Sequence, residues 1–262
     1  TIFMKPFLPK RKIIWNIRST NLSLNKNFFT IIVRTINSLF SYIVPNKIIF
    51  CSNESLDIHK KYLFNKNIFY LIHNGVDLDY YKILNKNNNS DCINIGCNAR
   101  YHPMKDHLTL FKALSLLKKK NIIFKLHLIG EGINDINFKQ LDFFEDIIIY
   151  KLGSDTNDFF NQIDLHILPS IYGESFSNVL LESMSCGVFN LATDVGNNKK
   201  ILQNYGKIFK IKDSNDLYLK ILDYKISRKT YSSMEFKQNQ RNYIFKNFSL
   251  KNMLINYNNI WS

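Results

Sequence analysis

Two glutamates, eight residues apart, are the side chains of this sequence best suited to hold a ligand rich in hydroxyl groups. Glu174 lies in a loop, residues 169–178, in which Gly173 permits a tight turn and Ser177 can cap the helix that follows. Glu182 lies within that helix among apolar residues, and a buried carboxylate needs a partner or a ligand because an unpaired buried charge is costly. One carboxylate can accept two O–H bonds, so vicinal sugar or ribose hydroxyls are suitable ligands. The alternative for Glu182 is a salt bridge or an exposed helix face.

Two cations, five residues apart, form a second candidate group. Arg100 and Lys105 flank a loop that follows one predicted strand and leads into a helix. Backbone N–H groups at a helix start, together with Arg and Lys side chains, make a site for a diphosphate. The alternative is that both cations are solvated, as basic residues at helix starts commonly are.

The elements that must position these residues alternate between short apolar runs and helical stretches, a pattern typical of parallel sheets with crossover helices. Beyond residue 91 the pattern predicts strands at 92–98, 122–129, 146–150, 165–168, 188–192 and 206–211. It predicts helices at 106–119, 137–144, 157–162, 177–186, 197–202, 214–224, 228–245 and 250–261. Earlier in the chain it predicts strands at 12–17, 47–51 and 68–72 and helices at 27–44 and 54–64. A polar stretch at 85–90 indicates a linker or an ordinary surface loop.

Composition excludes intrinsic disorder and gives little support to nucleic-acid binding. The chain has 262 residues, of which 45% are hydrophobic, and 35 Lys+Arg against 21 Asp+Glu give a formal net charge of +14. Residues 1–53 hold eight basic and no acidic side chains, while the middle of the chain, which holds the candidate groups, is slightly acidic. No nucleic-acid recognition motif accompanies this charge. An A/T-rich coding bias, which inflates Lys and Asn, is the alternative explanation of the excess.

Cysteine usage and hydropathy indicate a reduced compartment and no membrane span. The four cysteines form no C-x-x-C pair. The longest apolar stretch, residues 28–44, contains Arg34, and we interpret it as an amphipathic helix.

His102 and His107 lack the spacing and third ligand of a metal site, so we expect them at the surface or as caps. His127 and His166 alternate within predicted strands and are expected in the core or at a cleft edge.

Three motifs together resemble a known enzyme family. They are HNGVD at 73–77, ARYHPMKDHLTLFKAL at 99–114 and GESFSNVLLESMSCGV at 173–188. In this order and spacing they resemble the retaining, nucleotide-sugar-dependent glycosyltransferases of GT-B family 4. The resemblance implies an α/β fold of GT-B type, with a partial N-terminal Rossmann-like domain over residues 1–72. It implies a complete, doubly wound C-terminal domain over 73–245 that binds the donor, and a helix over 246–262 that crosses back.

The resemblance also implies roles for individual residues. Arg100 and Lys105 would neutralise the donor diphosphate, and Glu174 would hydrogen-bond the transferred sugar; these three are the expected catalytic residues. Glu182 would hold the ribose. The backbone of residues 175–178 would bind sugar hydroxyls or phosphate, Gly130 would line the cleft and Leu152 would contact the base. The other expected donor-binding residues are therefore Ser175, Phe176, Ser177, Asn178, Val179, Gly130 and Leu152. No metal and no cofactor is expected, because Arg and Lys take the role of a divalent cation.

The implied function is transfer of a hexose from a nucleotide-diphosphate sugar, expected to be a UDP-sugar, to a lipid-linked or polysaccharide acceptor. This hexosyltransferase would act in cell-surface glycan biosynthesis, on lipopolysaccharide or capsule. Its expected partners are the donor, the lipid-linked glycan acceptor and an anionic membrane surface, with no nucleic acid. We therefore expect it in the cytoplasm, peripheral on the inner face of the membrane. The alternative is a truncated fragment that binds the donor nucleotide without transferring sugar, since only about 70 residues precede the HNGVD segment.

Two departures from the family pattern limit this interpretation. Asn197 and Asn198, followed by Lys199 and Lys200, stand where the family commonly has small residues and a Pro-Glu, so donor contacts from that loop are not assigned. No residue can be given the acceptor-side role either, because His59 and His73 match no motif.

Overall fold

Two parallel sheets, of three and six strands, organise the chain. The computed structural model describes residues 11–18, 28–84 and 91–261. The linker or loop that the sequence predicts at 85–90 lies outside the described residues, as do residues 1–10, 19–27 and 262. Within the described part, no helix combines the length and apolar character needed to cross a membrane.

The three-stranded sheet belongs to the N-terminal part. It has the order β1-β2-β3, and its elements are β1 (Ile14–Ile17), α1 (Phe28–Phe40), β2 (Lys47–Phe50), α2 (Asn53–Lys60) and β3 (Phe69–Leu71). After Lys47 the central strand is apolar and fully buried, because both of its faces are covered. Phe50 packs with Phe64 on one face, and Ile49 packs with Ile72 and Ile260 on the other.

The six-stranded sheet belongs to the C-terminal part. Its strands are β4 (Ile93–Asn98), β5 (Phe124–Ile129), β6 (Ile147–Ile149), β7 (Leu165–Leu168), β8 (Phe189–Thr193) and β9 (Gly206–Phe209). Helices cover both faces: α3 (His107–Lys119), α4 (Thr156–Gln162), α5 (Asn178–Ser185), α6 (Asn198–Leu202), α7 (Ser214–Ile226), α8 (Arg228–Tyr231) and α9 (Met234–Phe248). The strand order β6-β5-β4-β7-β8-β9 reverses between β4 and β7. Such a reversal opens a crevice at the carboxyl ends of the two strands, where open α/β sheets bind ligands.

The predicted alternation of strands and helices is confirmed except in two places. The helix predicted at 137–144 is wrong: two 3₁₀ turns, Phe138–Gln140 and Phe144–Asp146, occupy this stretch. Phe138, Leu141 and Phe143 all belong to the main core. A continuous α-helix would turn Phe143 about 140° away from Phe138, so the chain breaks its helix to bury all three.

The single helix predicted at 228–245 is also wrong, because it is interrupted at Ser232 and Ser233. The Ser233 hydroxyl accepts a bond from the Phe236 N–H at 3.2 Å and so caps a new helix. Tyr231, just before the break, stacks on Phe189 with ring centroids 4.0 Å apart. The break therefore lets α8 and α9 cover the sheet in different directions.

The final helix, α10 (Leu250–Trp261), returns to the N-terminal sheet. The chain crosses where Val76 pairs with Ser249. A side chain at Gly75 would place its Cβ 2.7 Å from the Leu250 Cα, so the crossing requires glycine there. Farther along α10, the Asn16 side-chain amide donates to the Tyr257 hydroxyl at 2.7 Å. The last helix thus joins the two parts of the molecule.

Candidate functional site

An ion pair between Lys105 and Glu174 lies at the reversal of strand order. Lys105 ends a 3₁₀ turn after β4, and Glu174 lies in the loop after β7. The Lys105 ammonium binds Glu174 Oε1, and only 15% and 11% of the two side chains are exposed. The two loops also bond directly, because the Ile171 N–H donates to the Met104 carbonyl at 2.8 Å. The structure therefore brings together two side chains that the sequence places on separate motifs.

Glu174 has hydroxyl partners on both carboxylate oxygens. The Ser170 hydroxyl donates to Oε1 at 2.7 Å and the Ser177 hydroxyl donates to Oε2 at 3.0 Å. Burial alone would raise the pKa of Glu174, but the Lys105 charge and these three hydrogen bonds outweigh it and hold the pKa below its usual value. Glu174 is consequently an anion at neutral pH. The sequence analysis did not single out Ser170, although it lies in the same loop.

Ser177 does not act as the helix cap that the sequence predicts. Its hydroxyl binds Glu174 and the Asn198 side-chain oxygen, the latter at 2.7 Å, and makes no bond to the α5 backbone. The hydroxyl is directed to these two acceptors instead of to the α5 N–H groups. Within the described residues, no acceptor pairs with the N–H groups of Asn178 and Val179. These donors at the start of α5 remain available to an anion.

Asn198 was not predicted to belong to this site, and it anchors the loop after β8. The Asn198 side-chain amide donates to the Thr193 carbonyl at 3.2 Å. The Thr193 hydroxyl in turn bonds the Ser170 carbonyl. Both Asn198 and Thr193 are fully buried. This chain of bonds ties the loops after β7 and β8 behind Glu174.

Two glycines allow the loops to approach this closely. Gly130, at the end of β5, has φ +154°, and a Cβ there would lie 2.1 Å from the Ala99 carbonyl oxygen. Gly196, in the loop after β8, has φ +62°, and a Cβ there would lie 2.3 Å from the Glu174 carbonyl oxygen. Any larger residue would push one of these loops away from its neighbour. The predicted donor-binding residue Gly130 thus shapes the strand-end loop that carries Arg100.

Arg100 lies on the same loop as Lys105 but is more exposed. Its Nη2 is 3.6 Å from the Met104 sulfur, and it makes no ion pair within the described residues. The loop is held on one side by the Tyr101 N–H, which donates to the Glu131 carbonyl at 2.7 Å. On the other side Asp106 caps α3 and accepts a bond from the Thr109 hydroxyl at 2.6 Å. Both cations therefore stand on a backbone fixed at each end.

Glu182 lies on α5, and its partner is Tyr81 rather than a cation. Burial raises the pKa of Glu182, and the hydrogen bond from the Tyr81 hydroxyl partly offsets this. The Tyr81 oxygen also lies 2.9 Å from the Thr156 hydroxyl oxygen. The salt bridge considered as an alternative for Glu182 does not form within the described residues. The sequence analysis missed Tyr81, which comes four residues after the HNGVD segment.

Three of the predicted donor-binding side chains contact Ser52 and the segment after β3 instead of Glu174. The Ser175 hydroxyl lies 2.8 Å from that of Ser52. Phe176 stacks on His73 with ring centroids 5.0 Å apart. Asn178 accepts a bond from the Asn74 side-chain amide at 2.8 Å. Of the three, the Ser175 side chain joins the two parts of the molecule.

Val179 and Leu152 lie in different surroundings. Val179 is half-buried and packs against two apolar clusters, one that contains Leu180 and one that contains Phe160. Leu152, in the turn after β6, is 64% exposed. Because β6 is the outermost strand, Leu152 is two strands from β4, about 10 Å along the sheet. The two residues therefore do not touch the ion pair.

A family model described as glycosyl transferases group 1 matches residues 92–224, about half of the chain. This chain belongs to that family. The matched range contains the Lys105–Glu174 pair, Arg100 and Glu182. A curated relative, the putative glycosyltransferase EpsF of Bacillus subtilis (strain 168), is 28% identical over 109 residues. That alignment covers 40% of this chain and only 28% of EpsF.

Solved structures of similar fold show the GT-B architecture for this member of the group 1 family. Anabaena Alr3699/HepE, in complex with UDP and glucose, has a TM-score of 0.81 at 17% identity, over 97% of this chain and 72% of that one. A glycosyltransferase from Rickettsia africae ESF-5 has a TM-score of 0.82 at 20% identity, over 99% and 72%. S. aureus TarM, in a complex that includes UDP, has a TM-score of 0.77 at 18% identity, over 100% and 54%. The expected α/β fold with parallel, Rossmann-like sheets is confirmed.

Proposed function

We propose that this chain is a retaining hexosyltransferase of GT-B family 4 that uses a UDP-sugar and acts in cell-surface glycan biosynthesis. The observation that carries the proposal is the Lys105–Glu174 pair at the carboxyl ends of β4 and β7. Open α/β sheets bind nucleotides at such a reversal of strand order. The base is proposed from the relatives, because HepE and TarM were solved with UDP.

In the proposed donor site, the diphosphate binds Arg100 and Lys105 and the available N–H groups at the start of α5. Positive charge placed there stabilises the charge that grows on the leaving phosphate. Glu174, held as an anion, accepts bonds from hydroxyls of the transferred sugar. Glu182 accepts bonds from the ribose hydroxyls in place of the bond from Tyr81.

In the proposed reaction, the bond from the sugar to the donor phosphate breaks as a bond forms from an acceptor hydroxyl oxygen on the same face. The proton of that hydroxyl passes to the leaving phosphate oxygen, which balances the step. Arg100 and Lys105 supply the charge that a divalent cation would otherwise supply. We therefore propose that transfer needs no metal, and we expect EDTA to leave the rate unchanged.

The acceptor side of the proposal rests on the N-terminal part. Helix α1 and the turn after it expose a row of apolar side chains, here called the α1 apolar row: Ile31, Ile32, Val33, Ile36, Leu39, Tyr42 and Ile43. Residues 1–53 carry no acidic side chain. An apolar helix face with nearby positive charge binds the surface of an anionic membrane. We propose that the protein docks there, on the cytoplasmic face, to reach a lipid-linked glycan acceptor in the assembly of lipopolysaccharide or capsule.

The test is UDP binding and sugar transfer by the purified chain. Isothermal titration with UDP compares the wild type with Arg100→Ala, Lys105→Ala and, as a matched control, Lys112→Ala, an exposed cation on α3. We expect both loop variants to lose at least about tenfold in affinity, since each removes one charge-assisted contact. Equal affinity in all four proteins would show that the site assignment is wrong.

Transfer is then measured with a panel of UDP-sugars and a lipid-linked acceptor. Turnover that is lost in Lys105→Ala supports the transferase. Tight UDP binding without turnover for any donor would favour the alternative, a chain that binds the donor nucleotide and transfers nothing.

A further inference from the structure

A cavity opens at the amino ends of the strands of the six-stranded sheet, whereas the Lys105–Glu174 pair lies at the carboxyl ends. Its volume is about 200 Å³. Asp164, which directly precedes β7, and Val188, which directly precedes β8, lie in its wall. Because the strands are parallel, these positions mark their amino ends. This cavity shares no lining residue with the candidate donor site.

The cavity holds one more positive than negative charge. Arg228 binds Asp164 Oδ2 at 2.9 Å, and the Asn94 N–H donates to the same oxygen at 2.8 Å. The Asp164 charge is thus already neutralised. Lys237, on α9, is the other charged residue of the wall. Within the described residues no carboxylate forms an ion pair with Lys237.

Lys237 is positioned by packing and is not a mobile surface lysine. Its aliphatic carbons lie over Gly187, where a Cβ would come within 2.9 Å of the Lys237 Cβ and Cγ. Gly187 has φ +75°, which also favours glycine. Burial lowers the pKa of the Lys237 ammonium. The Asp164 charge, which is paired with Arg228, offsets this only in part, and an anionic ligand would relieve the remaining cost of burying the ammonium.

We propose that this cavity binds a small oxyanion, a carboxylate or a phosphate, with Lys237 as its principal counter-charge. Arg228 is paired with Asp164, so the excess positive charge of the wall is that of Lys237. Tyr231 and Ser232 also line the cavity. The proposal is independent of the transferase function, because none of these residues belongs to the donor site.

The experiment measures thermal stabilisation of the full chain by inorganic phosphate and by acetate, each against chloride at equal ionic strength. A ligand that binds only the native state raises the Tm by mass action. The measurements use the Arg100→Ala/Lys105→Ala protein, so that phosphate bound at the proposed donor site does not contribute. Lys237→Gln removes the charge, Lys237→Arg keeps it, and Lys246→Gln removes an exposed charge from the same helix as a matched control.

We expect at least one of the two anions to raise the Tm more than chloride does. The affinity for that anion is obtained from the dependence of the Tm on anion concentration. It should fall about tenfold or more in Lys237→Gln and stay unchanged in Lys237→Arg and Lys246→Gln. A larger effect of acetate than of phosphate would identify a carboxylate ligand, and the reverse a phosphate. Equal stabilisation of Lys237→Gln and Lys246→Gln, or none beyond chloride, would overturn the proposal. Retained UDP binding in Lys237→Gln made in the wild-type background separates the failure of this proposal from that of the transferase.

Discussion

Glu174 and Glu182 lie on one loop and helix, yet their surroundings move their pKa values in opposite directions. Burial raises the pKa of both. For Glu174 the Lys105 charge and two serine hydroxyls reverse this effect. For Glu182 the only offset is the hydrogen bond from Tyr81. Glu174 therefore remains an anion in mild acid, whereas Glu182 gains a proton more readily than an exposed glutamate does.

The Lys105–Glu174 pair gives a prediction for stability. Replacing Lys105 by Met leaves the Glu174 carboxylate almost fully buried without its counter-charge, and we expect a loss of about 3 kcal/mol at pH 7. Glu174→Gln leaves Lys105 unpaired and is expected to cost a similar amount. The double variant removes both charges and should cost less than the sum of the two. Urea unfolding of the four proteins measures these differences.

The pH dependence of this cycle follows from the lowered pKa of Glu174. A carboxyl whose folded pKa is depressed stabilises the protein above its unfolded pKa, about 4.3, and loses that contribution as pH falls through the folded value. The difference between wild type and Lys105→Met should therefore shrink at and below pH 4. A difference that stays constant from pH 7 to pH 3 would contradict the ion pair.

At the scale of elements, α1 leaves most of its described apolar side chains exposed, and the α1 apolar row gives the second prediction. Ile36→Ser and Leu39→Ser remove apolar surface without changing charge. Because burial of a Leu or Ile side chain contributes about 1.5–3 kcal/mol, we expect each to weaken binding to anionic liposomes about tenfold or more. Co-sedimentation with vesicles containing phosphatidylserine measures this.

The control for this prediction is Leu219→Ser on α7, because Leu219 is 57% exposed and Leu39 is 56% exposed. It should bind vesicles as the wild type does. Equal binding by the wild type to neutral and anionic vesicles would contradict the electrostatic part of the proposal. Equal loss in Leu219→Ser and Leu39→Ser would contradict the assignment to α1.

The order of the elements could be predicted from the sequence because apolar spacing records which face of each strand or helix is buried. The spacing fails at Phe138 and Phe143, where burying two aromatic rings outweighs continuing a helix. It also gives no sign of the break before Ser233. Both failures arise from contacts with the core, which local patterns do not contain.

For the candidate site, the sequence could indicate Lys105 and Glu174 because each follows a strand of a parallel sheet. It could not show that the two bind each other, since they are 69 residues apart along the chain. Asn198 and Tyr81 were missed for the same reason. Their contacts join loops or helices that only the folded sheet brings together.

At the scale of the whole molecule, four buried histidines set the response to acid, and burial lowers the pKa of His59 as it does that of the other three. Burial lowers the pKa of His107, His127 and His166 to about 4. His127 and His166 were expected in the core, and their burial confirms this. The expectation that His107 lies at the surface or as a cap is wrong: it is buried against Tyr101 and Phe111. The apolar face of α3 carries its first residue inward.

These histidines predict that the free energy of unfolding falls steadily from about pH 6.5 to pH 4. In that range the unfolded chain binds protons at these positions and the folded chain does not, so stability is lost as pH falls. Each of His107, His127 and His166 contributes about 1.4 kcal/mol per pH unit, and the three together about 4. Glu182 acts in the opposite sense, because its raised pKa lets the folded state take up a proton first. Urea unfolding of His107→Gln should show a slope lower by about 1.4 kcal/mol per pH unit, while His102→Gln, at an exposed position, should keep the wild-type slope. An unchanged slope in His107→Gln would mean that this imidazole titrates in the folded protein as it does in water, and that its burial is relieved before the chain unfolds.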